Sequence, residues 1–103
     1  MLEKKGNARM MNPKQIEMAR HALGFPNKQN ISYRNHFCIG PDGDGWDDWQ
    51  DLVKQGLAVE RKTALCGGDS LFHLTLKGAL QVRENKEHLS PEDAKTMREM
   101  ESL

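Results

Sequence analysis

The sequence predicts an α+β fold in which helices pack on a short antiparallel β-hairpin, with two or three strands in the sheet and one further helix at the C-terminus. Helix-start residues precede apolar residues at helical spacing in several places. Residues 57–76 predict two strands around a glycine turn, and in the second strand Phe72, Leu74 and Leu76 alternate with Leu71, His73 and Thr75. At 103 residues the chain can build one modest core but no deep cleft between lobes. We therefore do not expect an enzyme.

The first helix has the most complete set of local signals and is predicted over residues 13–23. Asn12 is a good N-cap, Pro13 suits the first helical position, and Gln15 stands where a capping box needs Glu or Gln. Gly24 then provides the C-terminal stop. The apolar stripe predicted for this helix is Ile16, Ala19 and Leu23.

The segment between the first two helices is the least regular part of the sequence. Aromatic and β-branched residues favour a short strand over residues 33–39, with a short helix around residues 30–34 as the alternative. The glycine and aspartate residues of 41–45 end any regular element. A second helix is predicted over residues 46–55 with Gly56 as its stop, and its apolar residues at helical spacing are Trp46, Trp49, Leu52 and Val53.

A hairpin follows, with strands over residues 57–63 and 70–76 and a turn at residues 66–69. Thr75 is placed to cap a third helix, which is predicted over residues 76–86. The residues expected to share the apolar face of that helix are Leu76, Ala79, Leu80 and Arg83.

Ser90 and Pro91 begin a last helix. Its stripe either docks back on the domain or forms the seam of a homodimer. The predicted organisation is a flexible tail over residues 1–11, a domain over residues 12–88 and a C-terminal helix over residues 89–103. The residues of the stripe are Leu89, Ala94, Met97 and Met100.

Charge and hydropathy limit the partners of the chain. Lys and Arg number 15 and Asp and Glu number 15, so no whole-protein field attracts nucleic acid or anionic lipid. No apolar run is long enough to span a membrane and the start lacks a signal peptide, which predicts a cytoplasmic chain without a membrane partner. The charge is nevertheless uneven, because residues 1–36 are basic and residues 37–56 are acidic.

No metal, cofactor or catalytic residue is predicted. In a reducing compartment, Cys38 and Cys66 are expected to be small buried hydrophobes and not a bridge. Their spacing to His36 and His73 is not that of common zinc sites, and no third group would orient a cysteine nucleophile. An EF-hand reading of Asp42, Asp44, Asp48 and Asp51 fails because Gly40 would occupy the first ligand position.

The second helix, the hairpin and the following helix start together carry a family resemblance. Its residues are Trp49, Leu52, Val53, Gly56, Leu57, Ala58, Gly67, Gly68, Leu71, Phe72, Leu74, Thr75, Lys77 and Gly78. This order resembles the winged helix-turn-helix superfamily over residues 46–80. The family supplies a further helix before the second one, and residues 25–45 offer none. The whole chain also looks like small phage and prophage proteins.

The resemblance implies that the helix over residues 46–55 would enter the DNA major groove, yet that helix presents aspartates that phosphates repel. We therefore expect a non-catalytic binding module, an accessory or regulatory protein of phage type, acting through protein contacts or homodimerisation. The tryptophans either cover the core, with an indole N–H on a surface acceptor, or anchor the partner. The candidate partner-binding residues are Trp46, Trp49, Asp47, Asp48, Asp51, Met97 and Met100.

A DNA-binding transcriptional regulator is the alternative. It would use the basic N-terminal segment and the hairpin in place of the acidic helix, with phosphate contacts supplying the affinity. The candidate DNA-binding residues are Lys14, Arg20, Lys28, Arg34, Arg61 and Lys62.

Overall fold

The computed structural model describes residues 11–101 and confirms the α+β class. In this part of the chain the helices are α1 (Pro13–Leu23), α2 (Trp46–Lys54), α3 (Leu76–Val82) and α4 (Pro91–Glu101). The strands are β1 (Phe37–Ile39), β2 (Ala58–Lys62) and β3 (Ser70–Leu74). They form one antiparallel sheet in the order β1-β3-β2, so the last strand lies in the centre.

The predicted boundaries and caps of α1 are confirmed. The side chain of Asn12 accepts a hydrogen bond from the Gln15 backbone N–H at 2.8 Å, and the Gln15 side chain accepts one from the Asn12 N–H at 3.0 Å. This reciprocal capping box satisfies two backbone donors that the first turn leaves free. At the other end Gly24 adopts φ +90°, a left-handed conformation that glycine reaches without strain.

The hairpin and the start of α3 are joined by one threonine. The Thr75 side chain accepts from the Gly78 N–H at 3.2 Å and donates to the Gly56 carbonyl at 3.0 Å. A Cβ at Gly78 would lie 2.1 Å from the Leu57 carbonyl oxygen, so only glycine allows this approach. The predicted cap is confirmed, and it ties the helix to the chain entering β2.

The core lies between the helices and one face of the sheet. Trp49 fills its centre, with ring centroids 5.3 Å from those of both Phe37 and Phe72. The largest apolar side chains with essentially no exposure are Trp49, Phe72, Leu23, Leu52, Leu74 and Met97. Met11, the last residue of the predicted flexible tail, is buried; the other residues of that prediction, 1–10, lie outside the described part.

The strand predicted over residues 33–39 is shortened to β1 because its first half bonds to α1. The Tyr33 N–H donates to the Leu23 carbonyl and the His36 N–H donates to the Ala22 carbonyl, both at 3.2 Å. The alternative helix around residues 30–34 is absent from this segment. These bonds cap the C-terminus of α1 with a neighbouring segment of chain.

The prediction for the third helix was wrong at its end and on its face. α3 stops at Val82, because the chain turns back and the Glu87 N–H donates to the Glu84 carbonyl at 2.8 Å. Leu80, predicted to be buried, is 50% exposed, and Arg83 is exposed as well. The face that packs inward is formed by Gly78, Ala79 and Val82.

Candidate binding surface

The two faces of the sheet have different surroundings. Phe37 and Phe72 pair across β1 and β3 and both contact Trp49, so their face lies against α2. Side chains alternate along a strand, so Cys38 and Leu71 point to the opposite face. Cys38 is exposed there.

This opposite face is partly covered by the described residues, because Leu71 on the central strand is only 8% exposed. Arg61 is exposed, and Val59 and His73 are half-buried. None of the side chains on this face is acidic. We call it the outer sheet face, and its residues are His36, Cys38, Val59, Arg61, Leu71 and His73.

His73 is held in one tautomer. Its Nδ1 lies 2.8 Å from the Asn35 carbonyl oxygen, which can only accept, so Nδ1 carries the proton in the neutral ring. The Nε2 atom is buried and has no hydrogen-bond partner within residues 11–101. Burial lowers the pKa of His73, the Asn35 contact opposes this, and the charges of Arg61 and His36 lower the pKa further.

The lowered pKa of His73 predicts a pH-dependent stability. The native state binds a proton at His73 less readily than the unfolded chain does. The free energy of unfolding is therefore highest above pH 6.5, the ordinary pKa of histidine, and it falls as the pH drops below 6.5 toward the lowered pKa of His73 in the native state. We expect the free energy of unfolding to decrease from about pH 7.5 to about pH 5.5, and His73→Gln to flatten the slope. Urea titrations at both pH values measure it.

His88→Gln is the matched control for this measurement, because His88 is exposed and its hydrogen bonds with Ser32 and Asn30 use only backbone atoms. That variant is expected to keep the slope of the wild type. An equal slope in His73→Gln and His88→Gln would show that His73 does not carry the effect.

A groove opens beside the outer sheet face, with a volume of about 250 Å³. Arg34 is fixed on its wall, because its Nε and Nη2 donate to the His21 carbonyl at 3.0 and 2.6 Å and its guanidinium lies 5.3 Å from the centre of the Tyr33 ring. The residues that line this groove, which we call the histidine groove, are His21, Arg34, His36, Phe37 and Cys38.

The two cysteines form a disulfide, with their Cα atoms 5.6 Å apart. The prediction of two separate buried thiols was wrong. Cys38 lies on β1 and Cys66 ends a 3₁₀ turn (Ala64–Cys66) between β2 and β3, so the bond ties the hairpin turn to the neighbouring strand. Because both sulfurs are used in this bond, neither cysteine can be a zinc ligand or a nucleophile in this state.

The predicted acidic surface on α2 is partly used within the fold. Asp51 accepts hydrogen bonds from the side chains of Gln15 and Gln55 at 2.9 and 2.8 Å. Asp48 lies 3.8 Å from the Lys14 ammonium. Asp47 alone of the three predicted aspartates is classed as exposed.

The apolar members of the predicted partner-binding set are mostly internal. Trp49 and Met97 are fully buried, so they present no surface to a partner, while Trp46 and Met100 are half-buried against the core. Trp49 covers the core, as one of the two alternatives predicted, but its Nε1 is buried without a partner within residues 11–101 and does not reach a surface acceptor. A dimer seam built on Met97 is likewise ruled out in this packing.

Only some of the predicted DNA-binding residues are left without an ion pair to another described residue. Lys14 pairs with Asp44, and Arg20 forms a two-pronged ion pair with Glu87. The Lys62 ammonium donates to the Ser70 hydroxyl at 2.8 Å and lies 3.5 Å from the Glu60 carboxylate. Of the rest, Lys28 and Arg61 are exposed and Arg34 lies in the histidine groove.

Sequence analysis missed the histidines as members of a binding surface. His36 and His73 were weighed only as metal ligands or bases, and His21 was not singled out. The period of two along β1 and β3 was a usable signal, because it places His36 and Cys38 on one face and Phe37 on the other. The approach of His21 depends on how α1 packs beside β1, which the period does not reveal.

The fold and this surface define a small α+β domain whose outer sheet face is partly exposed. Comparison of the chain with models of known protein families, with curated proteins and with solved structures found no match. Within residues 11–101, no helix combines the length and the apolar character needed to cross a bilayer, and no three metal-ligating side chains are grouped to hold an ion.

Proposed function

We propose that this chain is a non-catalytic binding module of winged-helix type that binds an acidic segment of another protein through its outer sheet face. The observation that carries the proposal is the composition of that face. It combines the exposed side chains of Arg61 and His36 with the half-buried His73 and Val59, which surround the buried Leu71, and no carboxylate lies among them. Complementary charge then sets the orientation and the association rate of an acidic partner.

The winged-helix assignment is supported by the order of elements and by the pairing of β1 with the second hairpin strand. The Gly56-Leu57 step between α2 and β2 agrees with it. The absence of a helix within residues 25–45 departs from the family pattern. The helix that would read DNA still presents Asp47, and this supports a binding mode that does not use α2.

A protein partner fits this surface better than nucleic acid. DNA affinity comes largely from neutralising phosphates, and it needs several permanent cations. Here Arg61 lies on the outer sheet face and Arg34 in the groove beside it, while Lys14 and Arg20 are engaged with Asp44 and Glu87. Apolar side chains between the cations suit a peptide that carries both carboxylates and apolar groups.

The test is selection from a display library of random dodecamer peptides on the wild type and on Arg61→Glu. We expect the wild type to enrich acidic sequences, and Arg61→Glu to bind an enriched peptide at least about tenfold more weakly, because a charge pair becomes a repulsion. Titration calorimetry measures the affinities. Arg83→Glu, an equal charge reversal at an exposed arginine after α3, is expected to keep the wild-type affinity.

Three results would contradict the proposal. The selection could enrich no acidic sequences, or Arg61→Glu could bind the enriched peptide as the wild type does. In a parallel titration, a short DNA duplex could bind tightly with an affinity that falls steeply with salt, which would favour the DNA-binding alternative.

A further inference from the structure

We propose that the histidine groove is a binding site for a phosphate group. Three side chains with N–H donors line it, and they come from the last turn of α1 (His21), the loop after it (Arg34) and the start of β1 (His36). The volume of about 250 Å³ is ample for one tetrahedral anion with part of its carrier. Among residues 11–101, no carboxylate lines the groove.

Arg34 is positioned before any ligand arrives. Its contacts with the His21 carbonyl and with the Tyr33 ring fix the plane of the guanidinium from two sides. The Nη1 amino group takes no part in either hydrogen bond, so its two N–H groups can be offered to an anion. A guanidinium held in place loses little entropy when it binds, which favours recognition by paired hydrogen bonds.

His21 and His36 are also positioned by contacts within the fold. The His21 ring meets the Phe37 ring edge-on, with centroids 5.9 Å apart, and the backbone N–H of His36 donates to the Ala22 carbonyl at 3.2 Å. Both side chains are exposed, so their ring N–H groups are accessible to a ligand. The groove therefore has donors on separate elements whose backbones are tied together.

The carbonyl end of α1 would by itself oppose an anion, because a helix carries partial negative charge there. Donors already cover those carbonyls. Arg34 donates to that of His21, the His36 N–H to that of Ala22 and the Tyr33 N–H to that of Leu23. Their charge is thus partly compensated before a ligand binds.

A phosphate fits this donor set better than a carboxylate does. A phosphate monoester offers three strong acceptor oxygens and close to two negative charges near neutral pH, and it can receive donors from three directions. A carboxylate has two oxygens in one plane. The same chemistry is offered by free inorganic phosphate and by a phosphoseryl side chain of a protein partner, and the experiment separates these two sources.

The experiment is an NMR titration of the intact chain with inorganic phosphate at constant ionic strength, with acetate as the reference anion. We expect saturating shifts of the His21 and His36 ring protons with phosphate and much smaller shifts with acetate. Arg34→Gln should weaken phosphate binding about tenfold. His36→Gln should also weaken phosphate binding. Because His36 is exposed, this variant provides the test if Arg34→Gln does not fold.

Arg83→Gln is the matched control, because Arg83 also donates to a backbone carbonyl, that of Glu87, but lies outside the groove. It should bind phosphate as the wild type does. Linear shifts that are equal for phosphate and acetate, or unchanged affinity in both Arg34→Gln and His36→Gln, would overturn the proposal.

A second arm compares inorganic phosphate with a short phosphoserine peptide and its unphosphorylated form. Tighter binding of the phosphopeptide assigns the group to a partner protein, and equal binding assigns the groove to the free ion. This inference goes beyond the proposed function, because the groove can bind phosphate whether or not acidic peptides bind the outer sheet face. The two proposals use different probes, so each can fail alone.

Discussion

Replacing Glu87 by glutamine is expected to lower the free energy of unfolding by about 3 kcal/mol, which is the low end for breaking one side of a buried ion pair. The carboxylate is 1% exposed, and its two oxygens accept from Nη1 and Nη2 of Arg20 at 2.6 and 2.8 Å. Glutamine keeps the shape but removes the buried charge that pairs with the guanidinium, which then has only the more distant and exposed Glu84 carboxylate. Arg20 remains 14% exposed, and this residual hydration is the reason for choosing the low end.

Glu87 also closes the turn that follows α3. Its carboxylate accepts from the Glu84 N–H at 2.7 Å, while Arg20 donates additionally to the Val82 carbonyl at 2.9 Å. The ion pair therefore fixes the chain after α3 against α1. A loss of about 3 kcal/mol is a large share of the 5–15 kcal/mol that stabilises a typical domain.

Glu84→Gln is the matched control. Glu84 is 63% exposed and its carboxylate lies 3.9 Å from Nη2 of the same Arg20, so its loss should cost less than about 1 kcal/mol. Urea denaturation measures both variants. Equal destabilisation by the two substitutions would show that burial does not strengthen the Arg20–Glu87 pair.

The stability that the Arg20–Glu87 pair contributes also depends on pH. Its hydrogen bonds with Arg20 lower the pKa of Glu87, so its stabilisation is present above the ordinary value of 4.5 and is lost as pH falls through the lower native value. The pKa of Glu60 is lowered as well, mainly by the Ser70 hydroxyl, and that contribution persists in all variants. Glu87→Gln should thus reduce the acid sensitivity without abolishing it.

Replacing both cysteines by serine is expected to cost about 3.5 kcal/mol of stability. The disulfide joins residues separated by 28 positions, and the entropy of closing a loop of that length in the unfolded chain gives a value of this size. The closed loop contains α2 and β2, so the bond limits how far these elements can separate when the chain unfolds. Non-reducing urea denaturation measures the loss.

Addition of a reductant is the control for the cysteine substitutions. The wild type should lose a similar amount of stability when reduced, and the double serine variant should not respond. A thiol assay on the denatured, unreduced chain should find no free thiol. Two free thiols, or a wild type indifferent to reductant, would contradict the bond.

The local elements follow from neighbours in the sequence. The boundaries of α1 depend on Asn12, Gln15 and Gly24, each within a few residues of the backbone groups that it satisfies. Thr75 caps α3 through a residue three positions away, and its role could be predicted for the same reason. The alternation of Phe72 and Leu74 likewise predicted that these two side chains are buried, although Leu71 on the other face of β3 is buried as well.

Elements whose ends depend on distant residues were predicted less well. α3 stops at Val82 although its helical pattern continues, because residues 84–87 turn back to place Glu87 against Arg20. β1 is short because the chain before it donates to the carbonyls of α1. In both cases a contact across the fold overrides a weak local preference.

The candidate sites show the same division. Charge counts along the sequence identified basic and acidic segments, but only the packing of α1 shows that Lys14 is paired with Asp44 and Arg20 with Glu87. Of the other predicted basic residues, Arg61 lies on the outer sheet face, Arg34 lies in the groove beside it and Lys28 is exposed elsewhere. Whether a charged side chain is paired within the fold depends on its distance from other side chains, and a charge count along the sequence does not give that distance.

By itself the sequence determined the class of fold, the caps of α1 and α3 and the alternation of the hairpin, because these depend on residues a few positions apart. Only the tertiary structure decided that Cys38 meets Cys66, that Met97 joins the core and that His21, Arg34 and His36 line one groove. Each of these brings together side chains from different elements. Their approach depends on strand register and on how the helices pack, which no local pattern specifies.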